Sequence, residues 1–234
     1  MYLSQLLIDT GSNPDRPRPG RLWLRNIYHV HQRLSMAFPS QQQMTTDPHF
    51  LKPFDPVQFK NARFLFRVDH NIGTDGSRAI ILVQSHVEPN WDYAFQNARI
   101  FLAANPEYRS MNFSFRSGEN YRFRVLANPT MKKSVRSSGK KNGPRLGLIR
   151  REDQIGWLER KANQHGFVLV NESVTIESQG FSEGWKGSDS IKYFSARFDG
   201  VLRVTDADKF AIAVREGIGS AKGFGFGLLS VAPA

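Results

Sequence analysis

Two runs of alternating side chains, ARFLFRVDH and RAIILVQSHV, flank the turn-forming stretch NIGTDGS. The first run places Phe64, Phe66 and Val68 on one face, as a half-buried strand requires, and a connection this short joins strands only antiparallel. A hairpin in mid-chain restricts what can surround it. Tyr2 to Asp9 reads as a strand. After the loop NPDRPRPG, Ile27, Val30, Leu34, Ala37 and Phe38 recur at helical spacing within a helix from about Leu22 to Phe38, which Pro39 ends. A weaker helical stretch from Trp91 to Leu102 and a strand from Met111 to Phe115 complete the order β-α-β-β-α-β. That is the ferredoxin-like order.

The second half repeats it. YRFRVLA reads as a strand, a helix runs from Glu152 to about Gln164 with Gly166 as its stop, and strands follow at GFVLVNESVTI and IKYFSARFDGVLRV. A helix opened by Thr205 or Asp206 and closed at Gly217 leads to the last strand, FGLLSV. The expected fold is α+β, two tandem ferredoxin-like (RRM-like) domains over 1–117 and 118–234. The duplication rests on element order, because no residue-level repeat accompanies it.

Cysteine is absent, which excludes disulfides, thiolate metal sites and a cysteine nucleophile. No apolar run reaches the ~18 residues of a membrane span, and the N-terminus lacks the pattern of a signal peptide, so the expected location is cytoplasmic, without membrane attachment. Charge is informative through its distribution. The formal net charge is +11, and Asn120 to Arg151 holds ten basic residues and no acid, leaving about +1 for the other 202 residues. A concentrated single-sign field attracts polyanions, and nucleic acid is the natural partner. Within this segment Lys132, Lys133, Arg136, Lys140, Lys141 and Arg145 flank Pro129, Gly139 and Gly143, which suggests a basic loop or hairpin able to enter a groove. A flexible basic loop without a specific ligand is the alternative.

The chain ends GIGSAKGFGFGLLSVAPA, with five glycines between Gly217 and Gly227 and Lys222 among them. A Rossmann loop or a P-loop needs a strand before its glycines and a helix after them. Here a helix precedes and seven residues follow, so neither can form. KGFGF opens like the RNP1 motif of RNA-recognition sheets, but Gly227 and Leu229 stand where that motif continues with Val and an aromatic residue. The stretch reads either as a tight helix-to-strand turn or as a nest for RNA backbone, with Gly217, Gly219 and Lys222 as candidate contacts.

This ending resembles the glycine-rich signature of the CRISPR-associated endoribonucleases that process precursor RNA, specifically the subtype I-E branch called CasE. MYLSQLLI, NIYHVHQRLSMAFP with its Tyr-x-x-His, and FRVLANPTMKK followed by RLGLIRREDQIGWLERKA resemble that branch in the same order, spanning nearly the full length. The resemblance implies two ferredoxin-like domains and binding of the hairpin encoded by each CRISPR repeat. It further implies cleavage at the hairpin's 3′ base without metal or other cofactor, and retention of the product as a subunit of the Cascade complex alongside its other subunits. It places the catalytic histidine at His31 and its neighbouring tyrosine at Tyr28. Some relatives carry basic residues where this chain has Gln32 and Met36, which leaves open which cation steadies the scissile phosphate.

The residues suit that chemistry. Metal-free RNA cleavage requires a 2′-OH to lose a proton and attack phosphorus in line, and a group titrating near neutrality serves as base. On a helix, Tyr28, His31 and Ser35 share one edge beside the Ile27–Val30–Leu34 stripe. A merely structural histidine would occupy the same rim, and only the resemblance favours catalysis. His29 points about 200° away from His31 on a helix, so the pair cannot chelate one metal. His49, His70, His86 and His165 lie near no acidic cluster, and no site for metal is expected. A non-catalytic RNA-hairpin-binding subunit is the alternative function. A protein scaffold leaves the basic segment without a purpose.

Overall fold

The computed structural model describes the chain except residues 14, 17, 49–63, 73, 133–144, 171–172 and 187–188, and the side chains of 182–191 are likewise outside the description. The chain divides into two compact units, Met1–Asn112 with Gly223–Gly225, and Phe113–Lys222 with Phe226–Ala234.

In the first unit, β1 (Tyr2–Asp9), β2 (Phe64–Ile72), β3 (Arg78–Ser85) and β4 (Glu107–Ser110) form an antiparallel sheet in the order β2-β3-β1-β4. In strand sequence this is second, third, first, fourth, which is the ferredoxin-like arrangement. Its core gathers Leu6 and Ile8 from β1, Phe66 and Val68 from β2, and Ile81 and Val83 from β3, joined by Val30 and Leu34 from a helix. Complete burial of each such aliphatic or aromatic side chain contributes about 1.5–3 kcal/mol.

The single helix expected from Leu22 to Phe38 is two. Pro19 opens α1 (Pro19–Leu24), where the missing N–H costs nothing. The chain then extends at Asn26, whose side chain accepts from the Tyr28 N–H and starts α2 (Ile27–Ser35). A capping asparagine inside an apolar periodicity thus breaks one helix into two. A short helix, α3 (Gln41–Thr46), follows. The helix expected over Trp91 to Leu102 is also shorter, as α4 (Trp91–Phe95) and a 3-10 turn at Arg99–Phe101.

The strand expected at Met111 to Phe115 is instead β4, at Glu107–Ser110, paired with Tyr2 to Gln5. The alternation of Met111, Phe113 and Phe115 misled because its aromatics serve the other unit. Phe113 and Phe115 stack at 5.8 Å, and Phe115 meets Phe210 edge-on at 4.7 Å.

In the second unit, β5 (Asn120–Ala127), β8 (Phe167–Leu169), β10 (Asp189–Val204) and β11 (Leu229–Pro233) form the same arrangement, β11-β5-β10-β8. α5 (Arg151–Gln164) and α6 (Ala207–Glu216) supply Trp157, Leu158, Phe210 and Val214 to its core. The run GFVLVNESVTI is not one strand. Ser173 Oγ donates to the Val170 carbonyl at 2.7 Å and accepts from the Val201 N–H. β9 (Thr175–Lys186) then pairs with the far end of β10. Two strands from the basic segment, β6 (Thr130–Lys132) and β7 (Arg145–Gly147), form a separate antiparallel ribbon with Lys132 opposite Arg145. Among the described residues no helix is long and apolar enough to cross a membrane.

Candidate functional site

Helix α2 sends Val30 and Leu34 into the first core and leaves Tyr28 and His31, both half-buried, on the adjacent edge. Ser35 is buried, and its hydroxyl donates to the His31 carbonyl at 2.8 Å. The two positions where some relatives are basic carry no charge. Met36 lies in the core and Gln32 is half-buried. Arg33, the cation in the last turn of this helix, is committed elsewhere, since its Nη1 donates to the Ala94 carbonyl at 3.0 Å and to Asn97 Oδ1 at 2.8 Å.

The His31 ring lies against the start of β2. It stacks on Phe64 with centroids 5.2 Å apart and planes 21° from parallel, and on Phe66 at 6.1 Å and 28°. Its Nδ1 is buried with no hydrogen-bond partner among the described residues. Burial pushes the imidazole below its ordinary pKa of 6.5. Desolvation is what disfavours the charged ring, so the neutral form is favoured. A neutral imidazole is what a general base needs at neutral pH, and for Nε2 to be that base the ring's proton must sit on Nδ1.

The glycine-rich stretch divides its work. Gly217, with φ of 73°, caps α6, and the segment from Ile218 to Gly227 closes on itself through the Ile218 N–H donating to the Gly227 carbonyl at 2.9 Å. Gly227 has φ of +86°, and a Cβ there would sit 2.5 Å from the Ile218 carbonyl oxygen, so only glycine fits. Lys222 Nζ donates to the Glu216 carbonyl, satisfying a group at the end of α6. Gly223–Gly225 belongs with the first unit. A Cβ on Gly223 would lie 3.8 Å from His31 Cε1, and one on Gly225 would lie 3.3 Å from Phe66.

In the second unit, Lys132, Arg145 and Gly219 line one pocket of about 210 Å³ with Thr130, Trp157, Lys161 and Ser220. Three basic side chains around a polar cavity can hold an anion such as a phosphate. Lys133, Arg136, Lys140 and Lys141 lie outside the described residues, as does His49. Part of the linear charge run is neutralised in three dimensions, because Arg124 pairs with Asp199 across from it on β10. Lys161 escaped the sequence reading. It sits one turn after Trp157 on α5, and its place in the pocket shows only when β6 and β7 are brought beside it. Phe64 was legible as a strand residue, but its contact with His31 spans 33 positions and leaves no local signal. Among the described residues, no group of three or more His, Asp or Glu side chains gathers as a metal site.

Two tandem ferredoxin-like units, one with a half-buried histidine beside a glycine turn and the other with a basic pocket, define the class of this protein. The chain belongs to the CRISPR associated protein family, which it matches over residues 1–233. The Cascade subunit CasE of Escherichia coli (strain K12) is 29% identical over 238 residues, covering 100% of both chains. The CRISPR-associated endoribonuclease Cse3 of Thermus thermophilus is 26% identical, again over 100% of both. A solved structure of Thermus thermophilus Cse3, bound to an RNA representing a pre-cleavage complex, matches with a TM-score of 0.72 at 26% identity. That match covers 99% of this chain and 98% of the other. The branch named in these relatives is the one the sequence motifs resembled.

Proposed function

We propose that this chain is an endoribonuclease that cuts CRISPR precursor RNA at the 3′ base of the repeat hairpin, without metal, and keeps the product as a Cascade subunit. The observation that carries the proposal is His31, a half-buried imidazole pushed toward its neutral form by burial, beside a glycine turn. The names of the relatives support the reading: one is called an endoribonuclease, one a Cascade subunit, and Cse3 has been solved with RNA.

In this account Nε2 of His31 takes the proton from the 2′-OH preceding the cut. The 2′-oxygen attacks phosphorus, the bond to the 5′-oxygen breaks, that oxygen takes a proton from water, and the imidazolium returns its proton to solvent, leaving a 2′,3′-cyclic phosphate and a 5′-hydroxyl. Tyr28, one turn earlier on α2, orients the reacting nucleotide. The β6–β7 ribbon and its basic pocket hold stem phosphates, since A-form RNA is gripped mainly through backbone and shape. Stem contacts outlast the cut, so the product stays bound.

The purified protein tested on a CRISPR precursor transcript in excess EDTA should cut one site per repeat and ignore an unrelated hairpin of equal length. A 2′-deoxy nucleotide just upstream of the cut should stop the reaction. Cleavage of that deoxy substrate would point to an activated water, and equal cutting of the unrelated hairpin would contradict repeat recognition.

A further inference from the structure

A histidine acting as base usually has its second ring nitrogen hydrogen-bonded to a carboxylate or carbonyl, which fixes both tautomer and ring plane. His31 has no such partner: its Nδ1 is buried and unbonded among the described residues. The torsion that swings an imidazole about its Cβ–Cγ bond is broad, so the ring's orientation must come from something else. The described neighbours offer flat aromatic faces. Phe64 lies within 21° of parallel to the imidazole, and Phe38 stacks on Phe64 at 5.4 Å and 26°. Phe38 is in turn braced edge-on by Trp91 at 6.3 Å. Phe66, fully buried, touches the imidazole from the same strand.

We propose that Phe64 is a positioning residue for His31, and that the Phe38–Phe64–His31 stack replaces the missing hydrogen-bond partner by holding the imidazole plane with Nε2 toward the RNA. The proposal rests on the assignment of His31 as the base. Charge does not supply the orientation. On α2, Arg33 is bound to Ala94 and Asn97; on β2, Arg67 and Asp69 pair with each other; and Lys222, beside the Gly223 backbone, donates to Glu216. The ring's displaced titration is caused by burial alone. An aromatic face at position 64 therefore does two things at once: it excludes water from one side of the ring and removes its freedom to turn.

The test compares Phe64→Leu, which keeps apolar bulk but loses the face, with Phe64→Tyr, which keeps the face. Single-turnover cleavage of a repeat hairpin, hairpin affinity, and the NMR titration of the His31 ring in the full-length protein are measured on each. Phe64→Leu should slow cleavage about 10- to 100-fold at saturating RNA, since misplacement of a reacting group by about 1 Å costs up to that much. Affinity should stay within about 3-fold, the range of a site that does not grip the stem. The ring titration, and with it the acidic limb of the rate profile, should move up toward 6.5. Phe64→Tyr should restore rate and titration. Wild-type cleavage by Phe64→Leu, equal loss in both variants, or an unmoved His31 titration would overturn the proposal. If Phe64→Leu lacks a folded near-ultraviolet spectrum, Phe64→Met takes its place with the same expectations. A failure of the base assignment is read separately, from cleavage by His31→Ala, while the NMR titration still reports on the stack.

Discussion

A methyl group built on Gly223 would lie 3.8 Å from Cε1 of His31, ordinary contact distance and no closer. There is room for one carbon and none for a branch extending toward the ring. Gly223→Ala should therefore fold and cleave within a few-fold of wild type. Gly223→Leu should lower single-turnover cleavage by about 10- to 100-fold, because it displaces either the imidazole or the nucleotide beside it. Equal rates for the two variants would show that this turn does not border the reaction.

Acidity should act on both rate and stability, with the same sign. Burial lowers the pKa of His31, and burial with the nearby Lys161 and Lys222 lowers that of His165. The unfolded chain therefore takes up these protons at higher pH than the folded chain does. Their contribution to stability is complete above the ordinary value of 6.5 and falls as pH drops through the interval between that value and the folded ones. Thermal melts between pH 7.5 and 5 should show a declining Tm, and His165→Gln should reduce the slope. The cleavage rate should be flat near neutrality and decline only on the acid side of 6.5. A rate already falling between pH 8 and 7 would mean that the base is not the buried imidazole.

The basic pocket predicts a separation of grip from chemistry. Replacing Arg145 and Lys161 with Ala should weaken hairpin binding and flatten its dependence on salt. Each lost contact removes about 0.7–0.9 from the slope of log K against log salt. Cleavage within the saturated complex should stay near wild type, because neither side chain reaches the reacting bond in this account. Lys140→Ala with Lys141→Ala should behave in the same way. An unchanged salt slope in the pocket variant would remove the pocket from the footprint.

Element order was legible because a ferredoxin-like unit writes itself locally: alternating strands, periodic helices, and glycines at turns. The failures are physical too. Asn26 split a helix because a capping side chain competes with an apolar periodicity that reads straight through it. Phe113 and Phe115 looked like a strand of the first half because alternation says which residues are buried, not in which core. At the site, the position of His31 on the rim of α2 was readable from helical spacing. Its stack on Phe64, its unbonded Nδ1, and the approach of Gly223 were not, since each joins segments far apart in the chain. The charge of the 120–151 stretch was overstated for the same reason, with Arg124 meeting Asp199 only in the folded sheet.

His31 is the side chain on which the proposed cleavage turns, and the most direct measurement is cleavage of a saturating repeat hairpin by His31→Ala under single-turnover conditions, with hairpin affinity determined in parallel. Loss of a general base costs about 10²–10⁴ in rate, and the prediction is a loss of that size with affinity within a few-fold of wild type. Cleavage by His31→Ala at the wild-type rate would contradict the assignment and leave the chain an RNA-binding subunit whose cut is made elsewhere.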